Sequence, residues 1–207
     1  PPGKYDFGMD KTLLQGLITA YLFMENGDLA GAKRVLTTLP PEYYDDPRQL
    51  LMLSRVVCLE AQEPEDFAEA ITIFRQVART GLRDASILVN VAALVLKIGY
   101  RDEKHAVRER AAAHRLALEA VRRAIAVEPK LSVSYLIAAR LIINLALYVS
   151  GGAELESLEA EAKAHLDQAE TVGADPASVA TLRVALMLVL GQLDAAREFL
   201  TDTHPQP

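Results

Sequence analysis

The sequence predicts an all-α fold, a stack of about five antiparallel helix pairs, and three observations carry that reading. A segment near the start, Gly27 to Leu36, returns near the end as Gly191 to Leu200, with Gly, Leu, Ala and Leu at matching places. Each copy follows an apolar helical run, Leu13 to Met24 in one case and Val179 to Leu190 in the other. The recurring unit is therefore helix, tight turn, helix. The third observation is compositional. The chain is 51% hydrophobic but only 6% aromatic, without Trp, so its apolar content is mostly Ala, Leu, Val and Ile, which suits close-packed helices better than a β-sandwich.

Taken in order, the elements follow from a small residue placed where two helices cross, with larger apolar residues one turn on. In the second helix of each pair this spacing reads Ala32/Leu36/Leu39, Ala70/Phe74/Val77, Ala117/Val121/Ala124, Ala162/Leu166/Ala169 and Ala196/Leu200/Thr203. The matching positions of the first helices are Ala20/Phe23, Cys58/Ala61, Ala92/Val95, Ala139/Ile142 and Val184/Met187, the second and last fitting loosely. Cys58 is read as a packing residue, since a free cysteine behaves as a small hydrophobe. The pairs fall at about 10–39, 47–79, 84–127, 131–172 and 175–203, within one repeat domain over 10–203. An extended segment, 1–9, and a tail, 204–207, flank it. Asp46-Pro47 and Asp175-Pro176 each read as an N-cap followed by proline at the first helical position, and Gly81 and Gly173 suit the turn after a helix.

This pattern resembles the tetratricopeptide family, most closely over Ala117 to Pro129, where the proline falls at the family's inter-repeat position. The resemblance covers nearly all of residues 10–203 and implies a right-handed α-solenoid. Against a plain repeat of about 34 residues, the steps from Ala92 to Ala139 and from Ala70 to Ala117 are both 47. About 13 extra residues therefore lie between Ala92 and Ala117, and about 11 more between Ala139 and Ala162. The first insertion, Arg101 to Ala113, lacks Gly and Pro and should lengthen the following helix in the third pair. The second should lengthen both helices of the fourth pair around Gly151-Gly152. Together they are expected to form a ridge carrying Arg101, Lys104, Arg108 and Arg110, a second candidate surface for a partner or another copy of the chain. The stack ends offer a further route to homo-oligomers.

The formal charge is −6, with acidic and basic residues interleaved, so the concentrated positive footprint of a nucleic-acid binder is missing. The basic stretch from Arg101 to Arg123 is diluted by Asp102, Glu103, Glu109 and Glu119 and reads as a solvated face with intrahelical ion pairs. No phosphate loop, dinucleotide glycine pattern, paired cysteines or nucleophile elbow can be found, so no enzymatic activity and no cofactor are expected. The histidines His105, His114, His165 and His204 have no i, i+4 partner among themselves and read as solvent-facing or boundary residues rather than metal ligands. The run Leu131 to Val149 approaches spanning length, but Arg140 and Asn144 lie inside it. A central Arg costs about 2.5–3.5 kcal/mol on insertion, so a buried helix is expected in place of a membrane span. One cysteine allows no internal disulfide and leaves the compartment open between cytoplasm, periplasm and a soluble domain of a larger protein. Pro1-Pro2-Gly3-Lys4 reads as residues left by processing or by the choice of expressed fragment, and Ala-rich, Arg-over-Lys usage suggests a bacterial source.

The resemblance further implies that the first helices line a concave groove. It assigns to that surface Leu17, Tyr21 and Met24, then Arg55 and Leu59, then Val89, Asn90, Ala93 and Leu96, then Leu136, Ile137, Arg140 and Ile143, then Thr181, Ala185 and Leu188. Only Arg55 and Asn90 stand where family members that grip a terminal carboxylate place a fuller polar clamp. The functional expectation is a non-enzymatic adaptor or scaffold whose apolar groove holds a protein partner, as an amphipathic helix or apolar segment. The alternative is an accessory or regulatory domain of a larger regulator or enzyme.

Overall fold

The computed structural model describes residues 10–60, 84–99, 107–149 and 151–203, together with 69, 72–73 and 75–77. All of the regular structure among them is helical. The chain divides into two compact units, residues 1–82 and 83–207.

In the first unit, α1 (Lys11–Glu25) opens on Asp10, whose carboxylate accepts the Thr12 N–H at 2.7 Å. It closes at Gly27, where φ is +76° and the Gly27 and Asp28 N–H groups bond back to Met24 and Phe23 carbonyls. That pair of bonds is the glycine-centred C-terminal motif that satisfies orphan carbonyls. One residue later Asp28 caps α2 (Leu29–Thr37), accepting from Gly31 N–H at 2.7 Å. The sequence repeat is thus a repeated piece of backbone. Gly191 has φ +73°, and the Gly191 and Gln192 N–H groups reach Leu188 and Met187 in the same manner. A short 3-10 turn at Pro41–Tyr43 leads into α3 (Pro47–Glu60). Asp46 caps α3 as expected and also takes a two-pronged ion pair from Arg48, which holds its carboxyl below the usual range. The core of this unit joins Leu13, Ala20, Ala32, Leu36, Leu39 and Val56.

The second unit contains three helix pairs: α4 (Ala85–Gly99) with α5 (Val107–Val127), α6 (Ser132–Ala146) with α7 (Ala153–Thr171), and α8 (Pro176–Val189) with α9 (Leu193–Thr203). Each helix packs on its sequence neighbour, and the first helices also meet, α4 on α6 and α6 on α8. This is the contact pattern of stacked repeats. The crossing positions read from the sequence are the buried ones: Ala92, Ala117, Val121, Ala124, Ala139, Ile142, Ala162, Leu166 and Ala169 are all closed to solvent. Between α5 and α7, the ion pairs Arg115–Glu154 and Arg122–Glu161 share one offset of 39 residues and hold the two second helices in register. The apolar run Leu131 to Val149 becomes the 15-residue α6 and its exit, and no helix among the described residues is long and apolar enough to cross a membrane.

The insertions are absorbed differently. Arg101 to Ala106 lie outside the described residues, and the rest of the first insertion forms the opening turns of the 21-residue α5. The second makes α7 19 residues long while α6 stays at 15, so the extra length falls on the second helix of that pair. Of the second-pair keys, Val77 is buried; Ala61, Ala70, Phe74 and the side chain of Cys58 lie outside the described residues.

Candidate functional site

The first helices of the second unit enclose an open cleft of about 540 Å³, within the size range of ligand-binding clefts. From α4 come Ala93 and Leu96, and from α6 Leu136, Ile137 and Arg140. The cap and first two turns of α8 complete it with Asp175, Ala177, Ser178, Thr181 and Leu182. The α6 contribution is a consequence of helical phase: Ala138, Ala139 and Ile142 fill the buried face, which turns Leu136, Ile137 and Arg140 outward. The polar groups of the α8 wall are partly engaged with one another. Asp175 accepts the Ser178 N–H at 2.9 Å and the Ser178 hydroxyl at 2.7 Å, and these bonds lower its pKa below the ordinary carboxylate value. Among the described residues, the arrangement offers apolar area, the hydrogen-bonded Asp175–Ser178 pair and one cationic side chain.

Several of the residues assigned to a groove from the sequence stand on this cleft, namely Leu96, Leu136 and Arg140 among the principal ones and Ala93, Ile137 and Thr181 among their neighbours. Asn90 is exposed on α4 but does not line the cleft. Ile143 and Val89 require correction: they are 4% and 5% exposed, Ile143 because it lies one turn beyond Ala139 on the core side of α6, and Val89 because it packs into the core with Leu88 and Ala120. In the first unit, Leu17 and Met24 are half-buried and pack onto the core around Leu13 and Ala20. Tyr21, Arg55 and Leu59 are exposed. Tyr21 belongs to an apolar stripe with Leu14, Ile18 and Leu22 along the outer side of α1.

The ridge residues are also relocated where they can be described. Arg101 and Lys104 lie outside the described residues, as does the side chain of Arg108. Arg110 is half-buried, with its guanidinium 5.8 Å from the centre of the Tyr148 ring, in place of the solvated position expected for it. One turn on, His114 is 2% exposed, which overturns its reading as a boundary or solvent-facing histidine. The Arg110 carbonyl can only accept, so His114 Nδ1 donates to it at 2.8 Å and Nε2 faces the Asn144 amide at 3.4 Å. The imidazole also meets Tyr148 edge-on at 5.8 Å. Burial depresses its pKa below 6.5; the Arg110 carbonyl opposes that shift and the Arg110 charge adds to it.

Sequence reasoning missed Asp175, Ala177, Ser178 and Leu182 as cleft residues. Asp175-Pro176 was legible as a helix start, but that the start opens onto a neighbouring helix is a tertiary fact. A signal did exist for His114, which stands in phase with Ala117, Val121 and Ala124 on the buried face of α5.

No family model and no curated protein sequence matches this chain. Among solved structures, a crystal structure of MamA protein superposes with a TM-score of 0.63 at 12% identity, covering 96% of this chain and 98% of the other. A second, described as a MamA RS-1 ArsTM double mutant, gives 0.62 at 14% identity and covers 93% of each chain. At such identities the likeness is one of fold, and the fold it supports is tetratricopeptide-like and helical throughout.

Proposed function

We propose that this chain is a non-enzymatic protein-binding module that acts as an adaptor or scaffold, holding an amphipathic helix or apolar segment of its partner in the cleft between α4, α6 and α8. The observation that carries this reading is the cleft itself, lined by mostly part-exposed apolar side chains from three helices on the face where the first helices of successive pairs meet. Apolar surface of this kind stabilises a complex by about 25 cal/mol for each Å² removed from water. A helix laid into a groove is the economical way to cover it, because its own backbone groups are already satisfied. Tyr21, Arg55 and Leu59, exposed on the first unit, are proposed as a separate contact surface for a polypeptide.

The test is capture from the source cell with the intact chain beside a Tyr21→Ala/Arg140→Glu variant, followed by titration of whatever the intact chain retains. Both side chains are exposed, so helicity by circular dichroism should be unchanged. A partner that binds the variant at least tenfold more weakly, with the loss reproduced by Arg140→Glu alone, supports the cleft. Equal affinity for the two forms would move the binding surface elsewhere.

A further inference from the structure

We infer that copies of this chain join end to end, with the outer face of α1 in one copy seated on α8 of the next. The inference does not rest on the cleft; it comes from residues that hold equivalent places in successive helix pairs yet differ in burial. Leu22 stands two residues beyond the crossing residue Ala20 of its helix, as Leu141 stands beyond Ala139 and Leu186 beyond Val184. Leu141 and Leu186 are buried, whereas Leu22 is 56% exposed. Both α6 and α8 pack on a preceding pair, and among the described residues no pair precedes α1. Because α8 buries Leu186 with no described pair after it, the cover over this position comes from the pair before. The same holds two residues ahead of the crossing point. Ile137 joins the core around Leu88 and Ala124, and Leu182 that around Leu166 and Ala169, in each case residues of the preceding pair. Their counterpart Ile18 is exposed.

The other end shows the converse. Leu188 stands four residues beyond Val184, in the place of Met24, Leu96 and Ile143. Leu96 and Ile143 are buried, and Met24 packs onto the core that includes Val56 of α3; all three lie in helices that a further pair follows. Leu188 is exposed, on α8, after whose pair no further one is described. The cover absent here is that of a following pair. The two open faces are therefore the two halves of the contact that α6 and α8 already make within the chain. A surface that fits Leu188 carries apolar side chains at the places of Ile18 and Leu22 on a first helix, and α1 is such a helix. Contiguous apolar faces of this kind mark interaction sites. Since the contact joins two different surfaces, it can repeat from copy to copy and build rows or rings.

Sedimentation velocity over a rising concentration series tests this on the intact chain, Leu22→Arg and Leu188→Arg, each alone and the two variants in equal mixture. The intact chain should self-associate as concentration rises, and each variant alone should lose that association. The mixture should give a dimer and nothing larger, because Leu22→Arg keeps the α8 face and Leu188→Arg keeps the α1 face; that dimer also shows both variants to be folded. An intact chain that stays monomeric would overturn the proposal, and so would a Leu188→Arg variant that dimerises alone, since α1 would then pair with itself. Association unchanged in both variants would place the contact elsewhere. Monomeric variants with native circular dichroism whose mixture yields no dimer would contradict the pairing of these two faces.

Discussion

The fourth and fifth helix pairs use the same spacing of small and large residues, yet they bury it to different depths. In the fourth pair, Ala162 and Leu166 of α7 are closed to solvent, Leu166 at 1% exposure, and in α6 so are Ala139 and Ile142. At the corresponding places of the fifth pair Ala196 is buried, but Val184 and Met187 are only half-buried and Leu200 is 48% exposed. The difference is one of neighbours. The helix α7 is packed by both α6 and α8, whereas α9 packs chiefly on α8. In a stacked repeat, the helix-crossing residue is buried by its own pair and the residue one turn on by the next pair. A shared sequence pattern therefore predicts which face turns inward, and the neighbour decides how much of that face is covered.

The largest expected effect follows directly. Leu166→Ala should cost about 2–5 kcal/mol of stability, the range for emptying a packed leucine site, while Leu200→Ala should change it by less than about 1 kcal/mol. Urea unfolding of the two variants measures both, and equal losses would mean that the fifth pair is as fully packed as the fourth. Next in size is the joint between the pairs. Gly173 has φ +84° and no atom within 4 Å of where a Cβ would stand, so Gly173→Ala should cost about 1–2 kcal/mol from backbone strain alone.

The predictable and unpredictable parts of the molecule divide along the same line. Crossing alanines were legible because helical period and residue size together specify a buried face: Ala32, Ala92, Ala117, Ala139, Ala162 and Ala196 are all buried. The repeated glycine turn was legible because a left-handed backbone position favours glycine. Positions at the margin of a face were not. Ile143 and Arg140 are three residues apart on α6, and a modest rotation of the helix decides which of them meets solvent. Arg110 is charged and lies in an insertion, and the sequence holds no sign that Tyr148 supplies a ring for it. Of the candidate site, the walls from α4 and α6 were visible in the sequence and of the α8 wall only Thr181 was, since the place of the rest depends on how the last pair stacks.

The buried His114 gives a subtler probe of how α5 is held against α6. Its folded pKa lies below 6.5, so the folded state binds fewer protons than the unfolded state in the interval between the two values. Stability from this residue is present above pH 6.5 and declines as pH falls toward the folded pKa, with a slope of at most about 1.4 kcal/mol per pH unit. His114→Gln should flatten that dependence, read as denaturation midpoints from pH 7.5 to pH 5. A variant as acid-sensitive as the parent would show that other groups carry the effect. Smaller still is the exposed register pair: Arg122→Ala should cost no more than about 1 kcal/mol, and less in high salt.

The most direct test of the central claim places a photo-crosslinking residue at Thr181, on the wall of the cleft, and in a parallel protein at Ala126, an exposed position of α5 outside it. If the cleft holds the partner, irradiation in the source cell should join a polypeptide to position 181 and not to 126. Crosslinks of equal yield from both positions, or from 126 alone, would contradict the claim that this chain works by gripping a partner between α4, α6 and α8.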